Sequence, residues 1–285
     1  MISKSLLIGQ RSRSRIAPFH LHRPSTVDEA VQLMGEMQTT GAYMAGGLDL
    51  INRMKFGAGP ENVIHLARVS EMTTMESINR TMRIGAGVTH REIAMSPAMR
   101  EHFPSLATVW STLANPRVRC KGSLGGNVMA RDPGYDVAPI LMALGAHVTL
   151  AAPGRDRTQV PIDAIARETG LLVSVEIPVE DRVMLRVDRS MRPIVGIALG
   201  LDHDNGFIVR VRVAISCAYA GPCVRPLELP HPLSQPELAK RAASLASAFM
   251  DGLATPLNDW QASSQYRRQM IQVLLRRLLQ QKDFP

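Results

Sequence analysis

Gly122-Ser123-Leu124-Gly125-Gly126-Asn127, running on to Asp132-Pro133-Gly134-Tyr135-Asp136, is the stretch on which the reading of the fold turns. Its glycines let successive backbone N–H groups approach an anion with no Cβ atoms in the way. With two prolines, four glycines and little periodicity, Asn115 to Gly134 reads as one long functional loop. Asp136 then opens an apolar run to Leu144 that has helical character. A carboxylate there is either a plain helix cap or, held by the N-terminal N–H groups, an acceptor for a ribose hydroxyl; both readings stand. Tyr135 reads either as an exposed turn aromatic or as cover for a ring system.

A second glycine turn lies far upstream, in Met44-Ala45-Gly46-Gly47-Leu48-Asp49-Leu50, where a short strand ends. Either turn alone is accounted for as local chain reversal. Together they suggest a shared pyrophosphate, because a charge-assisted hydrogen bond contributes about 1.5–3 kcal/mol while micromolar to nanomolar binding needs about 8–12 kcal/mol. Familiar nucleotide signatures are missing. Gly57-Ala58-Gly59 and Gly85-Ala86-Gly87 lack the third glycine of G-x-G-x-x-G, and there is no Gly-Lys-Ser/Thr.

Outward from these turns, the chain alternates helices and strands in short pieces. Ser25 is the expected cap of a helix from Thr26 to Met37, with Val27, Ala30, Val31 and Met34 on one side. Short strands are expected at Ala42 to Ala45, Val63 to Leu66, Met82 to Ile84 and His147 to Ala151, and helices at Thr89 to Ala94, Ser105 to Leu113 and Asp136 to Leu144. Beyond Gly154, Leu171 to Ile177, Val183 to Val187, Val195 to Leu201 and Phe207 to Ile215 are β-rich and predict an antiparallel sheet. Phe207, Val209, Val211, Val213 and Ile215 predict one face of a strand, entered through the Asp204-Asn205-Gly206 hairpin turn. Pro236 to Met250 and Gln265 to Gln280 predict two closing helices. The fold class is α+β, with a boundary near Pro178 to Arg182 and Met1 to Arg15 as a loose leader.

Composition bounds the function. The 285 residues carry 33 Lys and Arg against 25 Asp and Glu, and 45% are hydrophobic, which suits a globular chain. The net charge of +8 is scattered and only 4% of residues are aromatic, which argues against nucleic acid and for an acidic protein partner. No apolar stretch is long enough for a membrane span, and the expected compartment is the cytoplasm. Eight histidines show no metal spacing. Three cysteines without a Cys-x-x-Cys pair do not make an iron–sulfur site, so such chemistry would belong to another chain. No nucleophile elbow or acid–base pair stands out, so no catalytic residue is assigned and the residues favour holding a cofactor.

Taken in order, these segments resemble the flavin-binding medium subunit of molybdenum hydroxylases, the group containing carbon monoxide dehydrogenase and xanthine dehydrogenase. The likeness runs from Ile16-Ala17-Pro18-Phe19 through Ala45 to Leu50, Ile84 to His90 and Asn115 to Arg119, and it is most specific in Gly122 to Asn127 and Asp132 to Asp136. It closes on Tyr266-Arg267-Arg268 and Leu275-Arg276-Arg277. The resemblance implies an FAD-binding part over residues 16–178, made of two α+β subdomains split near residue 70, and a C-terminal flavoprotein part over residues 183–285. It implies FAD held by Ala45, Gly46, Gly47, Leu48, Asp49, Leu50, Ser123, Gly125, Gly126 and Asn127, with Thr89 beside the cofactor. Asp136 would bind a hydroxyl of the adenosine half, and Leu172 would pack near the rings. It also implies an iron–sulfur small subunit and a molybdopterin-containing large subunit as partners, with electrons passing through this chain to an external acceptor. Leu48 stands where the family usually has a small polar residue. Leu185 and Pro193 stand where relatives often place a Lys and an aromatic residue, with Arg186 as the nearby cation to compensate. A stand-alone flavin oxidase or reductase and a cofactor-less scaffold subunit are the alternative readings.

Overall fold

The structure, a computed structural model, describes residues 16–57, 59–179, 183–189 and 194–281. The leader Met1 to Arg15 and Pro193 lie outside the described residues. The chain begins with β1 (His20–His22), α1 (Val27–Met37), β2 (Gly41–Met44), α2 (Leu48–Lys55) and β3 (Asn62–His65). The strands form a parallel sheet in the order β1-β3-β2, and parallel neighbours require crossovers such as α1 and α2. Helix α1 buries Val27, Ala30 and Val31. Its cap is Thr26 rather than Ser25: the Glu29 amide donates to Thr26 Oγ1 at 3.1 Å, while the Ser25 amide and hydroxyl both bond the Glu29 carboxylate. Adjacent hydroxyl residues divide the two halves of a capping box between them, which spacing alone does not resolve.

Next come β4 (Met75–Ile78), β5 (Thr81–Gly85), α3 (His90–Met95), α4 (Pro97–His102), α5 (Pro104–Thr112), α6 (Pro116–Lys121), α7 (Leu124–Ala130), α8 (Val137–Ala143), β6 (His147–Ala151), β7 (Thr158–Pro161) and β8 (Leu171–Pro178). The strands make an antiparallel sheet ordered β4-β5-β8-β6-β7. Two sequence expectations are corrected here. Asn115 to Gly134 is not a continuous loop, since α6 and α7 occupy most of it, capped by the side chains of Asn115 and Ser123. Helices of six and seven residues are too short to display an amphipathic period. Leu171 to Pro178 joins this second sheet between β5 and β6, not the later one, because its buried Val173, Val175 and Ile177 complete the core of Met82, Ile84 and Val148.

The last part comprises β9 (Val183–Arg189), β10 (Gly196–Asp204), β11 (Phe207–Ser216), β12 (Cys223–Leu227), α9 (Gln235–Asp251) and α10 (Ser264–Gln280), with the antiparallel order β12-β11-β10-β9. The sheet has unlike faces. Ile197, Leu199, Leu201, Val213 and Ile215 share a core with Leu238, Phe249, Leu274 and Leu278 of α9 and α10. Ala198 and Ala214 belong instead to the core that contains α8. Two residues along β10 from Ala198, Gly200 lies so close to α8 that a Cβ there would stand 2.0 Å from the Ala143 carbonyl oxygen.

Asn205 and Gly206 take the positive φ values, 50° and 82°, that a tight hairpin requires. The strand that follows does not keep one face. Asp202 pairs with Arg210 and His203 with Ile208, leaving Val209 as a bulge. Phe207 and Val209 therefore face solvent at 46% and 43% exposure, and Ile208 is buried in their place. Among the described residues no helix is long and apolar enough to cross a membrane.

Candidate functional site

The first glycine turn joins β2 to α2. Gly47 stands at the cap position with φ 74°, and no side chain caps the helix. Among the described residues the amides of Gly46, Gly47, Leu48 and Asp49 donate to no protein acceptor. An uncapped helix start presents convergent N–H donors and a favourable dipole end to an anion. Leu50 is buried against Met54 and Val63, anchoring the turn from below, and Leu48 is exposed at 45%.

The second glycine turn is built differently from the expectation that it offers its N–H groups in the same way. Leu124 N donates to Val88 O at 2.9 Å and Gly125 N to Ala86 O at 2.8 Å, while Gly126 N donates to Ser123 Oγ and Asn127 N to Ser123 O. The Gly122 carbonyl accepts from His90 N, so Thr89 and Ser123 face each other in an isolated antiparallel bridge. Gly125 is needed for close approach, since a Cβ on it would stand 2.5 Å from the Ala86 Cβ. Gly126 is exposed and would meet only Ser123 Oγ. What this turn offers a ligand is Asn127, whose Oδ1 is buried without a hydrogen-bond partner. Such a group is costly unless something donates to it.

The two turns meet. A Cβ on Gly46 would stand 1.7 Å from Lys121 O, and one on Gly122 would touch Leu48 Cδ1 at 3.4 Å. Thr89 reaches the same place through its bridge to Ser123, its hydroxyl engaged in a capping box with Glu92. The family resemblance pointed to this third member, and the Thr89-x-x-Glu92 spacing is the local feature that starts its helix. His90 is 3% exposed and packs its ring against Trp110. Burial, with a smaller contribution from Arg119, holds its pKa down at about 4. Tyr135 is half-buried rather than an exposed turn aromatic; burial and then the carboxylates of Asp132 and Asp49 raise its pKa, against Arg53.

Two named residues lie apart from this meeting point. Leu172 is 2% exposed within the core of the second sheet. Asp136 occupies the cap position of α8 but makes no capping bond; its Oδ1 accepts from Ser216 Oγ at 3.2 Å, and the side chain lines a cavity of about 130 Å³ with Val109, Leu113 and Asp188. Arg186 does not replace a cofactor-facing cation. It is 4% exposed and donates to Leu278 O and Gln235 Oε1, tying β9 to α9 and α10.

Uncapped amides on one turn, a buried carbonyl oxygen lacking a donor on the other, and glycines where a Cβ has no room fit a bound dinucleotide. Residues 17–180 match the family model described as FAD binding domain in molybdopterin dehydrogenase, and residues 184–282 match the CO dehydrogenase flavoprotein C-terminal domain. The chain belongs to the FAD-binding family of the molybdopterin dehydrogenases. Within that class it is a medium-chain FAD subunit of the molybdenum hydroxylases, an oxidoreductase component, as the family resemblance implied. It is similar to the carbon monoxide dehydrogenase medium chain of Afipia carboxidovorans, at 25% identity over 92% of this chain and 96% of that one. The corresponding chain of Hydrogenophaga pseudoflava is 34% identical over 58% of each chain. The fold matches a solved carbon monoxide dehydrogenase from Hydrogenophaga pseudoflava lacking the Mo-pyranopterin moiety of its cofactor, with a TM-score of 0.83 at 24% identity over 93% of this chain and 97% of that one. These relatives are medium subunits of multi-subunit assemblies, so partner subunits are implied for this chain.

Proposed function

We propose that this chain is the electron-transfer flavoprotein of a multi-subunit hydroxylase. It takes electrons from the iron–sulfur clusters of a small subunit, while a molybdopterin-containing large subunit oxidises the substrate, and passes them to an external acceptor. Residues 16–178 form the FAD-binding part and residues from 183 onward the C-terminal part, assembled in the cytoplasm. The amides of Gly46 to Asp49, flanked by Ala45 and Leu50, hold the pyrophosphate across from Ser123, Gly125, Gly126 and Asn127. Thr89 lies beside the cofactor, Asp136 accepts from a hydroxyl of its adenosine half, and Leu172 packs near the rings. Bound FAD supplies a carrier that accepts electrons singly or in pairs. The protein supplies position and a water-poor wall.

The observation that carries this reading is the contact of Gly46 with Lys121, which sets the uncapped start of α2 against the Ser123 turn. The test is reconstitution of the purified chain with excess FAD, followed by desalting. Retention of a flavin spectrum at one equivalent per chain is expected, and colourless protein overturns the proposal.

A further inference from the structure

The Asp132 to Asp136 segment is gripped by the far end of β11. Ser216, 3% exposed, donates Oγ to Asp136 Oδ1 at 3.2 Å, and the next residue, Cys217, donates its amide to Pro133 O at 2.9 Å. Cys217 has φ 65°, a left-handed conformation unfavourable for a side chain, which persists only when its surroundings enforce it. Here the enforcement comes from α10. Arg267, 1% exposed, donates to the carbonyls of Cys217 and Ile194, and its other terminal nitrogen bonds both oxygens of Asp259 at 2.7 and 2.8 Å. Asp259 is fixed in turn by the amides of Gln261 and Ala262. Burying a guanidinium is costly unless hydrogen bonds and a counter-charge compensate it. Both of its terminal nitrogens are engaged, one of them on the Cys217 carbonyl, and the turn so braced presents a hydroxyl to Asp136 and an amide to Pro133.

Asp136 itself stands at the start of α8, where its carboxylate would ordinarily turn inward to cap the helix. It makes no capping bond and is drawn toward Ser216 instead. We infer that Ser216, on the turn braced by Arg267, is a positioning residue for FAD: from the C-terminal part of the chain it aims the Asp136 carboxylate at the cofactor. The inference rests on the reading of Asp136 as a cofactor ligand. It makes FAD affinity depend on residues 80 and more positions downstream of the segment that holds the cofactor.

The test is a double-mutant cycle on the full chain, reading the Kd for FAD from flavin fluorescence and, separately, the melting temperature without flavin. Asp136→Ala and Ser216→Ala should each weaken FAD binding, the second by about tenfold, the scale of one hydrogen bond to a charged group. Ser216→Ala should add no further loss once Asp136→Ala is present, because there is then nothing to aim. A general structural defect would weaken binding equally in both backgrounds, and that result overturns the proposal. So does an unchanged Kd for Ser216→Ala when Asp136→Ala binds weakly, a result that leaves the cofactor reading of Asp136 intact. If Asp136→Ala itself binds FAD normally, that reading and the proposal fall together, while flavin retention by the unsubstituted chain still upholds the wider function.

Discussion

Gly46 rests against the main chain of Lys121, with a Cβ excluded to 1.7 Å from the carbonyl oxygen. Two turns 76 residues apart in sequence are thereby joined backbone to backbone, and the start of α2 lies beside the Gly122 turn. No flexible side chain lies between them to give way.

Gly46→Ala should therefore disturb the fold and the cofactor together. Overpacking against backbone costs about 1–3 kcal/mol, so a lowered melting temperature and loss of flavin on desalting are expected. Gly59→Ala is the control, since its Cβ would make ordinary contact with Met54 at 3.6 Å; both properties should stay unchanged. Normal flavin retention by Gly46→Ala would contradict the contact.

Gly125 and Gly126 are neighbours with separable roles. Gly125→Ala places a methyl 2.5 Å from the Ala86 Cβ and should act on stability, seen as a lower melting temperature without flavin. Gly126→Val projects from an exposed position and should abolish flavin retention while the melting temperature of the flavin-free chain changes little. Equal effects of the two substitutions on both readouts would argue against this division.

Leu48 offers a gain. It is 45% exposed beside amides that have no protein acceptor, so Leu48→Ser removes little packing and adds a hydroxyl donor at the first turn of α2. Tighter FAD binding by about 0.5–1.5 kcal/mol is expected. A titration showing unchanged or weaker affinity would count against a phosphate at this helix start.

His90 gives the structure an acid sensitivity whose sign follows from its burial. Its pKa falls from 6.5 to about 4 on folding, chiefly through burial. Above pH 6.5 neither state is protonated there. Between about 6.5 and 4 the unfolded chain takes up the proton and the folded chain does not, so stability declines as pH falls across that window and levels off below it. His90→Gln should flatten this decline. Melting curves from pH 7.5 to 4.5 that fall in parallel for both proteins would show that other groups dominate.

Much of this was readable in the chain. The turn at Gly46-Gly47, the apolar run after Asp136, the Asn205-Gly206 hairpin and the strand His147 to Ala151 are local signals, and the structure forms each of these elements. What escaped was set by distant partners. Val211, Val213 and Ile215 face the helices as their alternation suggests, but a bulge at Val209 turns Phe207 outward, and a bulge depends on the partner strand. Gly125 looked like an anion donor until Ala86, brought beside it by β5, took its amide. The recruitment of Asp136 by Ser216 leaves no trace in local spacing.

Gly200, seated on the Ala143 carbonyl two residues along β10 from Ala198, has a further consequence. Because β10 bears directly on the helix that Asp136 opens, the later sheet serves as the back wall of the cofactor-bearing half. Peeling it away would bare α8 and disturb the carboxylate at its tip in the same event. Heating should then release flavin and melt both halves within one cooperative transition, and added FAD should raise the midpoint of the whole chain rather than of its first half alone.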